Sequence, residues 1–137
     1  MDPFDFLGTC ERLMAAPLRS EADDRTVVSR IYYAVFLTLR DGLSAKDRGF
    51  NQALRGSGAD HGLVRRYLRG ERFTNGQSRG RIAQPVAWYE SYLTLYEWRG
   101  TADYDTAAGK VSWHPVAARL LHDAKVLRPL IESYVRR

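Results

Sequence analysis

The stretch that decides the fold is VVSRIYYAVFLTL, residues 27–39. Its apolar side chains recur every three and four residues, which places them on one face of an α-helix. These side chains are Val28, Ile31, Tyr32, Val35, Phe36 and Leu39. Upstream, Ser20 and the acids Glu21, Asp23 and Asp24 form a helix start signal, because acids favour the positive end of a helix. The pattern therefore predicts a long helix from Ser20 to between Gly42 and Ala45.

The same spacing predicts four further helices, at residues 4–14, 61–70, 85–105 and from 112 onward. We expect Asp60 and Ser112 to act as N-caps, and Pro85 suits a first helical turn because it has no N–H to satisfy. Gly100 weakens its helix by about 1 kcal/mol relative to alanine without stopping it. Pro115 falls in the first turn of the last helix, and Pro129 should kink that helix near its end.

Two segments carry no clear period and are interpreted as loops, residues 46–60 and 71–81. No strand alternation or hairpin signal competes with the helices. A chain of 137 residues, 45% of them hydrophobic and 27% charged, fits one globular domain over residues 1–137. The sequence predicts an all-α, antiparallel bundle of about five helices, with its second and fifth helices as the spine.

The composition argues against several classes of protein. No run of about 18 apolar residues predicts a membrane span, and Asp2 and Asp5 stand where a signal peptide needs basic residues. The single cysteine, Cys10, cannot form an internal disulfide. Histidines and acids show no metal-ligand spacing, and no nucleotide-binding glycine motif occurs. We therefore expect a cytoplasmic protein without a metal or cofactor.

The net charge is +5, and only three of the 21 basic residues are lysines. Arginine suits planar contacts with phosphates and carboxylates. One segment, with Tyr67 and Phe73 interleaved, concentrates six arginines: Arg65, Arg66, Arg69, Arg72, Arg79 and Arg81. Two interpretations stay open, a solvated helix face and a surface that follows a nucleic-acid backbone while aromatic rings stack on bases.

Three segments in order carry a family resemblance: Ser29-Arg30-Ile31-Tyr32-Tyr33-Ala34-Val35-Phe36, His61-Gly62-Leu63-Val64, and Arg99-Gly100-Thr101-Ala102-Asp103-Tyr104-Asp105. The chain resembles the HEPN family, in the branch with an S-R-x-Y-Y-A-x-F helix, a later histidine and an R-x-x-A-D-Y signature. The resemblance implies an antiparallel helical bundle, commonly a homodimer. Many relatives are encoded beside minimal nucleotidyltransferases or in defence loci, and several are metal-independent ribonucleases.

The resemblance implies one cleft lined by the candidate catalytic residues Arg30, His61, Arg99, Asp103 and Tyr104. Metal-free RNA cleavage needs proton transfer, which suits histidine, and positive charge at the phosphate, which suits arginine. The structural alternative is an ion pair among Arg30, Arg99 and Asp103 that locks two helices together. In that interpretation the nearby tyrosines are edges of the core with bonded hydroxyls.

The chain departs from the catalytic HEPN pattern, in which a histidine follows the late-helix arginine after four to six residues. Asp103 and Tyr104 stand there instead. The formal match, Arg55 to His61, lies in the predicted loop entering the third helix, so enzymatic activity stays open. We expect an RNA-directed protein of a toxin–antitoxin or antiviral defence system, resembling a metal-independent ribonuclease toxin. The alternative is a non-catalytic dimeric subunit that docks a nucleotidyltransferase or another effector.

Overall fold

The computed structural model describes residues 2–17, 19–104 and 111–136, which form six α-helices and one short hairpin. A 3₁₀ turn, Pro3–Asp5, precedes the first helix. The elements are α1 (Phe6–Ala15), α2 (Glu21–Lys46), α3 (Arg48–Arg55), α4 (Asp60–Leu68), β1 (Glu71–Thr74), β2 (Gln77–Arg81), α5 (Tyr89–Tyr104) and α6 (Trp113–Arg136). Helices dominate and the sheet has two strands, so the prediction of an all-α helical bundle is confirmed.

Helix α2 begins at a complete capping box. Ser20 Oγ accepts a hydrogen bond from the Asp23 amide at 3.2 Å, and the Asp23 carboxylate accepts one from the Ser20 amide at 2.8 Å. The helix runs to Lys46, slightly past the predicted end. It stops there because Asp47 turns to extended backbone and caps α3, accepting a hydrogen bond from the Phe50 amide at 3.0 Å.

The core forms around α2, which packs against each of the other five helices. The whole predicted stripe from Val28 to Leu39 is buried. Helix α6 lies along α2 so closely that a Cβ atom at Gly42 would stand 2.5 Å from Val135 Cβ. The two longest helices are thus the predicted spine.

The two predicted loops are wrong. Residues 48–55 form α3, which buries Phe50 and Ala53. Residues 71–81 form an antiparallel hairpin that buries Phe73. Its turn is Asn75-Gly76, where both residues have positive φ, 52° and 79°. This is the backbone that Asn-Gly favours in two-residue hairpins, and the sequence does contain that signal.

Smaller corrections concern the helix ends. Asp60 is the first residue of α4 and not its N-cap, which is Ala59 without a side-chain hydrogen bond. Helix α5 begins at Tyr89 and not around Pro85, and it contains Gly100 as expected. Asp105, its predicted end, lies outside the described residues. Helix α6 starts directly after Ser112 and contains Pro115 and Pro129. None of the helices described combines the length and hydropathy of a membrane span.

Candidate functional site

Arg99 of α5 lies in the interior, ringed by four tyrosines. Only 7% of the surface of this residue is exposed. The guanidinium carbon stands 5.0 Å from the ring centre of Tyr32, 5.8 Å from Tyr33, 5.7 Å from Tyr96 and 5.8 Å from Tyr104. A cation near the faces of several rings is attracted by their quadrupoles, most strongly where water is excluded. We call these five residues the arginine–tyrosine cluster.

One carboxylate completes the charge balance of the cluster. Arg99 Nη1 lies 3.7 Å from Asp103 Oδ2, and Ser29 of α2 donates a hydrogen bond to the same oxygen at 3.3 Å. Burial lowers the pKa of Arg99, but Tyr32, Tyr33, Tyr104 and Asp103 together raise it above its usual value. The side chain therefore stays cationic. Its Nε is buried, and no residue in the described part of the chain forms a hydrogen bond with it.

His61, at the start of α4, joins the cluster through Tyr32. Its Nδ1 lies 2.7 Å from the Tyr32 hydroxyl, and its ring stacks on Phe36 with centres 4.1 Å apart. Burial, followed by the charge of Arg99, lowers the pKa of His61 below its usual 6.5. Burial raises the pKa of Tyr32 to about 12, which also favours its neutral form. At neutral pH both groups are therefore uncharged.

Two proton arrangements satisfy the His61–Tyr32 contact. In one, the imidazole Nδ1–H donates to the phenol oxygen, while the phenol O–H points to the Tyr92 hydroxyl at 3.3 Å. The second ring nitrogen of His61, Nε2, is then unprotonated and can accept a proton. In the other arrangement, the Tyr32 O–H donates to Nδ1 and the imidazole proton is on Nε2. Nε2 forms no hydrogen bond with any residue that the structure describes.

Four of the five candidate catalytic residues meet here, namely His61, Arg99, Asp103 and Tyr104. Arg30 does not join them: it is exposed and lies over the Phe6 ring at 5.7 Å. It lines a surface cleft that Asp103 and Tyr104 also line. Within the described ranges Arg30 forms no ion pair, so the three-residue ion pair offered as the structural alternative is not formed.

Sequence reasoning did not identify Arg25 as part of this site. From α2, its Nε donates to the Ala102 carbonyl at 2.9 Å and its Nη2 to the Thr101 carbonyl at 3.2 Å. The guanidinium also lies 5.0 Å from the Trp113 ring centre. Arg25 thereby fixes the end of α5, which carries Asp103. Contacts to backbone carbonyls over 70 positions away leave no sequence signal.

The six arginines of the basic segment divide into groups. Arg66 forms two 2.6 Å hydrogen bonds to Glu71. Arg72 donates to the Tyr67 and Glu71 carbonyls, at 3.0 and 2.9 Å. These two arginines hold α4 and the hairpin together, and Arg79 is exposed on β2.

The other three, Arg65, Arg69 and Arg81, line one surface groove. Its opposite wall comes from the segment before α5 and from the first turns of that helix. The wall residues are Ala83, Pro85, Val86, Ala87, Tyr89, Glu90 and Leu93. We call this the basic groove. Arg65 also lies 4.7 Å from the ring centre of Tyr96, so the groove begins beside the arginine–tyrosine cluster.

Across residues 2–17, 19–104 and 111–136, histidine, cysteine and acidic side chains nowhere gather in threes that could hold a metal ion. Comparison of the chain with protein-family models, with curated proteins and with solved structures finds no match in any of the three.

Proposed function

We propose that this chain is an RNA-directed protein of the HEPN family that acts in a prokaryotic toxin–antitoxin or defence system. One observation carries the proposal. The three sequence segments behind the resemblance, which begin at Ser29, His61 and Arg99, lie far apart in the chain and meet around one buried guanidinium. Packing alone does not require a cation, a neutral histidine and a carboxylate at that meeting point.

The chemistry proposed for this site is RNA cleavage without a metal ion. In the arrangement that leaves Nε2 unprotonated, His61 would take the proton of a ribose 2′-hydroxyl, and the 2′-oxygen would attack the adjacent phosphorus. The bond from phosphorus to the 5′-oxygen then breaks, and the 5′-oxygen takes a proton from water. Arg99 would supply positive potential from beneath the site and hold the tyrosines in place. Tyr104, which is 76% exposed, would provide the surface on which the RNA rests.

A second candidate is a non-catalytic dimeric subunit that docks a nucleotidyltransferase or another effector. The Arg99–Asp103 ion pair favours it, because a carboxylate stands where active relatives carry a histidine. The cleft lined by Phe6, Tyr33 and Tyr104 would then receive the partner protein.

Incubation of the purified protein with RNA in EDTA separates the two candidates. The ribonuclease proposal expects cleavage that persists in EDTA, falls at least 100-fold in His61→Gln, and is retained in His122→Gln, which changes an exposed histidine of α6. Salt-sensitive RNA binding without cleavage would support the binding subunit. A protein that neither binds nor cleaves RNA would contradict an RNA-directed function.

A further inference from the structure

We infer that the basic groove is an exosite for a single RNA strand, which continues from the arginine–tyrosine cluster along Arg65 to Arg69 and Arg81. This inference rests on the proposed RNA-directed function and adds where the strand lies and which form of RNA is selected.

The charges in the groove are available to a ligand. Arg65, Arg69 and Arg81 form no ion pair with any carboxylate among the described residues, whereas neighbouring Arg66 is neutralised by Glu71 at 2.6 Å. Three guanidinium groups around one depression repel one another, and bound phosphates would relieve that repulsion. Glu90 is the one acid on the opposite wall, and it lowers the positive potential there.

The apolar wall argues for a single strand. In a duplex the bases are stacked inside and only the backbone is presented, so a duplex would leave Pro85, Val86 and Leu93 in water. A single strand offers phosphates on one side and base faces on the other. It can therefore contact the arginines and the apolar wall together, with Tyr89 as an aromatic surface for stacking.

Backbone hydrogen bonds fix the distance between the two walls. The Gly70 carbonyl accepts from the amides of Ile82 and Ala83, both at 3.0 Å, and the Leu68 carbonyl accepts from Val86 at 3.0 Å. At Gly70, φ is 103°, and a Cβ there would stand 2.0 Å from the Ala83 carbonyl oxygen. The groove is thus built into the joint between α4 and the segment that leads to α5.

Tyr96 connects the groove to the cluster. Its ring has Arg99 at 5.7 Å and Arg65 at 4.7 Å. A strand that rests on exposed Tyr104 would therefore meet Tyr96 next and then the first arginine of the groove.

The test measures binding of a fluorescein-labelled 12-nucleotide RNA by anisotropy. The double variant Arg69→Ala/Arg81→Ala is compared with Arg119→Ala/Arg136→Ala, which removes the same charge from exposed positions of α6. We expect the groove variant to bind at least tenfold more weakly and the control to change less than threefold. Glu90→Gln should bind about twofold to threefold more tightly. Circular dichroism checks that each variant is folded.

The remaining outcomes are separable. If Tyr104→Ala weakens binding but the groove variant matches its control, the exosite is wrong and the proposed function stands. If the wild-type protein binds no RNA, both the exosite and the proposed RNA-directed function are wrong. Equal binding of a 12-base-pair RNA duplex would overturn the assignment to a single strand, and equal binding of single-stranded DNA of the same sequence would overturn the assignment to RNA. Displacement by polyglutamate as effective as by unlabelled RNA would instead assign the groove to an acidic protein.

Discussion

Arg99 is the residue on which the candidate site depends, because its charge is enclosed and its neighbours are arranged around it. Removal of a buried side chain leaves a cavity, and here it also removes a cation from the tyrosine rings and a partner from Asp103. We expect Arg99→Ala to lower the free energy of unfolding by about 2–4 kcal/mol. Arg99→Met restores most of the volume without the charge, so it should lose less stability than Arg99→Ala.

Urea unfolding followed by circular dichroism measures both variants. RNA cleavage should be lost in both, since each lacks the positive charge beside His61. Full function in a stable Arg99→Met protein would show that the guanidinium serves packing alone.

His61 should make stability depend on pH. Its pKa in the folded protein is lowered from 6.5 by burial and by Arg99. As the pH falls through 6.5, the unfolded chain binds a proton at this residue before the folded chain does. Stability is therefore greatest above this range and declines as the pH drops below it.

The free energy of unfolding, measured between pH 7.5 and pH 5.5, should fall less in His61→Gln than in wild type. His122→Gln, which changes an exposed histidine of α6, is the control variant. A pH dependence that is identical in all three proteins would contradict the neutral, enclosed state of His61.

At the scale of single residues, the motifs marked side chains that lie close together in the structure. His61, Arg99, Asp103 and Tyr104 were identified from the resemblance, and they meet. Arg30 was identified with them; it lies over Phe6, outside the arginine–tyrosine cluster, and it lines a surface cleft with Asp103 and Tyr104. The sequence alone also did not separate Arg66, which Glu71 neutralises, from Arg69, since pairing depends on how the hairpin folds back.

At the scale of the elements, the contact between α2 and α6 is tight enough to reverse an ordinary helix preference. Alanine usually stabilises a helix interior by about 1 kcal/mol relative to glycine. At Gly42, however, the new methyl group would stand 2.5 Å from Val135 Cβ. We expect Gly42→Ala to destabilise the protein by about 1–3 kcal/mol, as overpacking does.

Gly100→Ala is the matched control, because nothing lies within 4 Å of a Cβ at that position of α5. It should stabilise the protein by up to about 1 kcal/mol. Thermal unfolding measures the change in stability of both variants. A gain in stability from Gly42→Ala would mean that α2 and α6 can move apart with little loss of free energy.

The long helices could be predicted because their apolar period extends over several turns. Helix α3 and the hairpin could not. Helix α3 has eight residues, with glycine inside it and directly after it, so its period is too brief to recognise. Strand β2 is exposed along its whole length and shows no alternation. The sequence does contain Asn75-Gly76, which favours a hairpin turn. The residues on either side of it are mostly polar, however, and they were interpreted as a loop.

At the scale of the whole molecule, the net charge of +5 matters less than where free charges lie. With three guanidinium groups on phosphates, affinity for a single strand should change with salt by a slope of about −2 on logarithmic axes. A threefold rise in salt would then weaken binding on the order of tenfold. Arg69→Ala/Arg81→Ala should reduce the slope by about 1.4. Anisotropy titrations at four salt concentrations provide the slopes, and equal slopes in variant and wild type would refute phosphate contact at these positions.

The bonds from Arg25 to the carbonyls of Thr101 and Ala102 have a kinetic consequence. The last turn of a helix ordinarily frays, and a ligand that binds there must first immobilise it. Here the turn is held to its neighbour before any ligand arrives, so little conformational entropy is lost on binding. An RNA strand that reaches Tyr104 should therefore bind without a slow step in which this turn becomes ordered. We expect the time course of association to follow a single exponential.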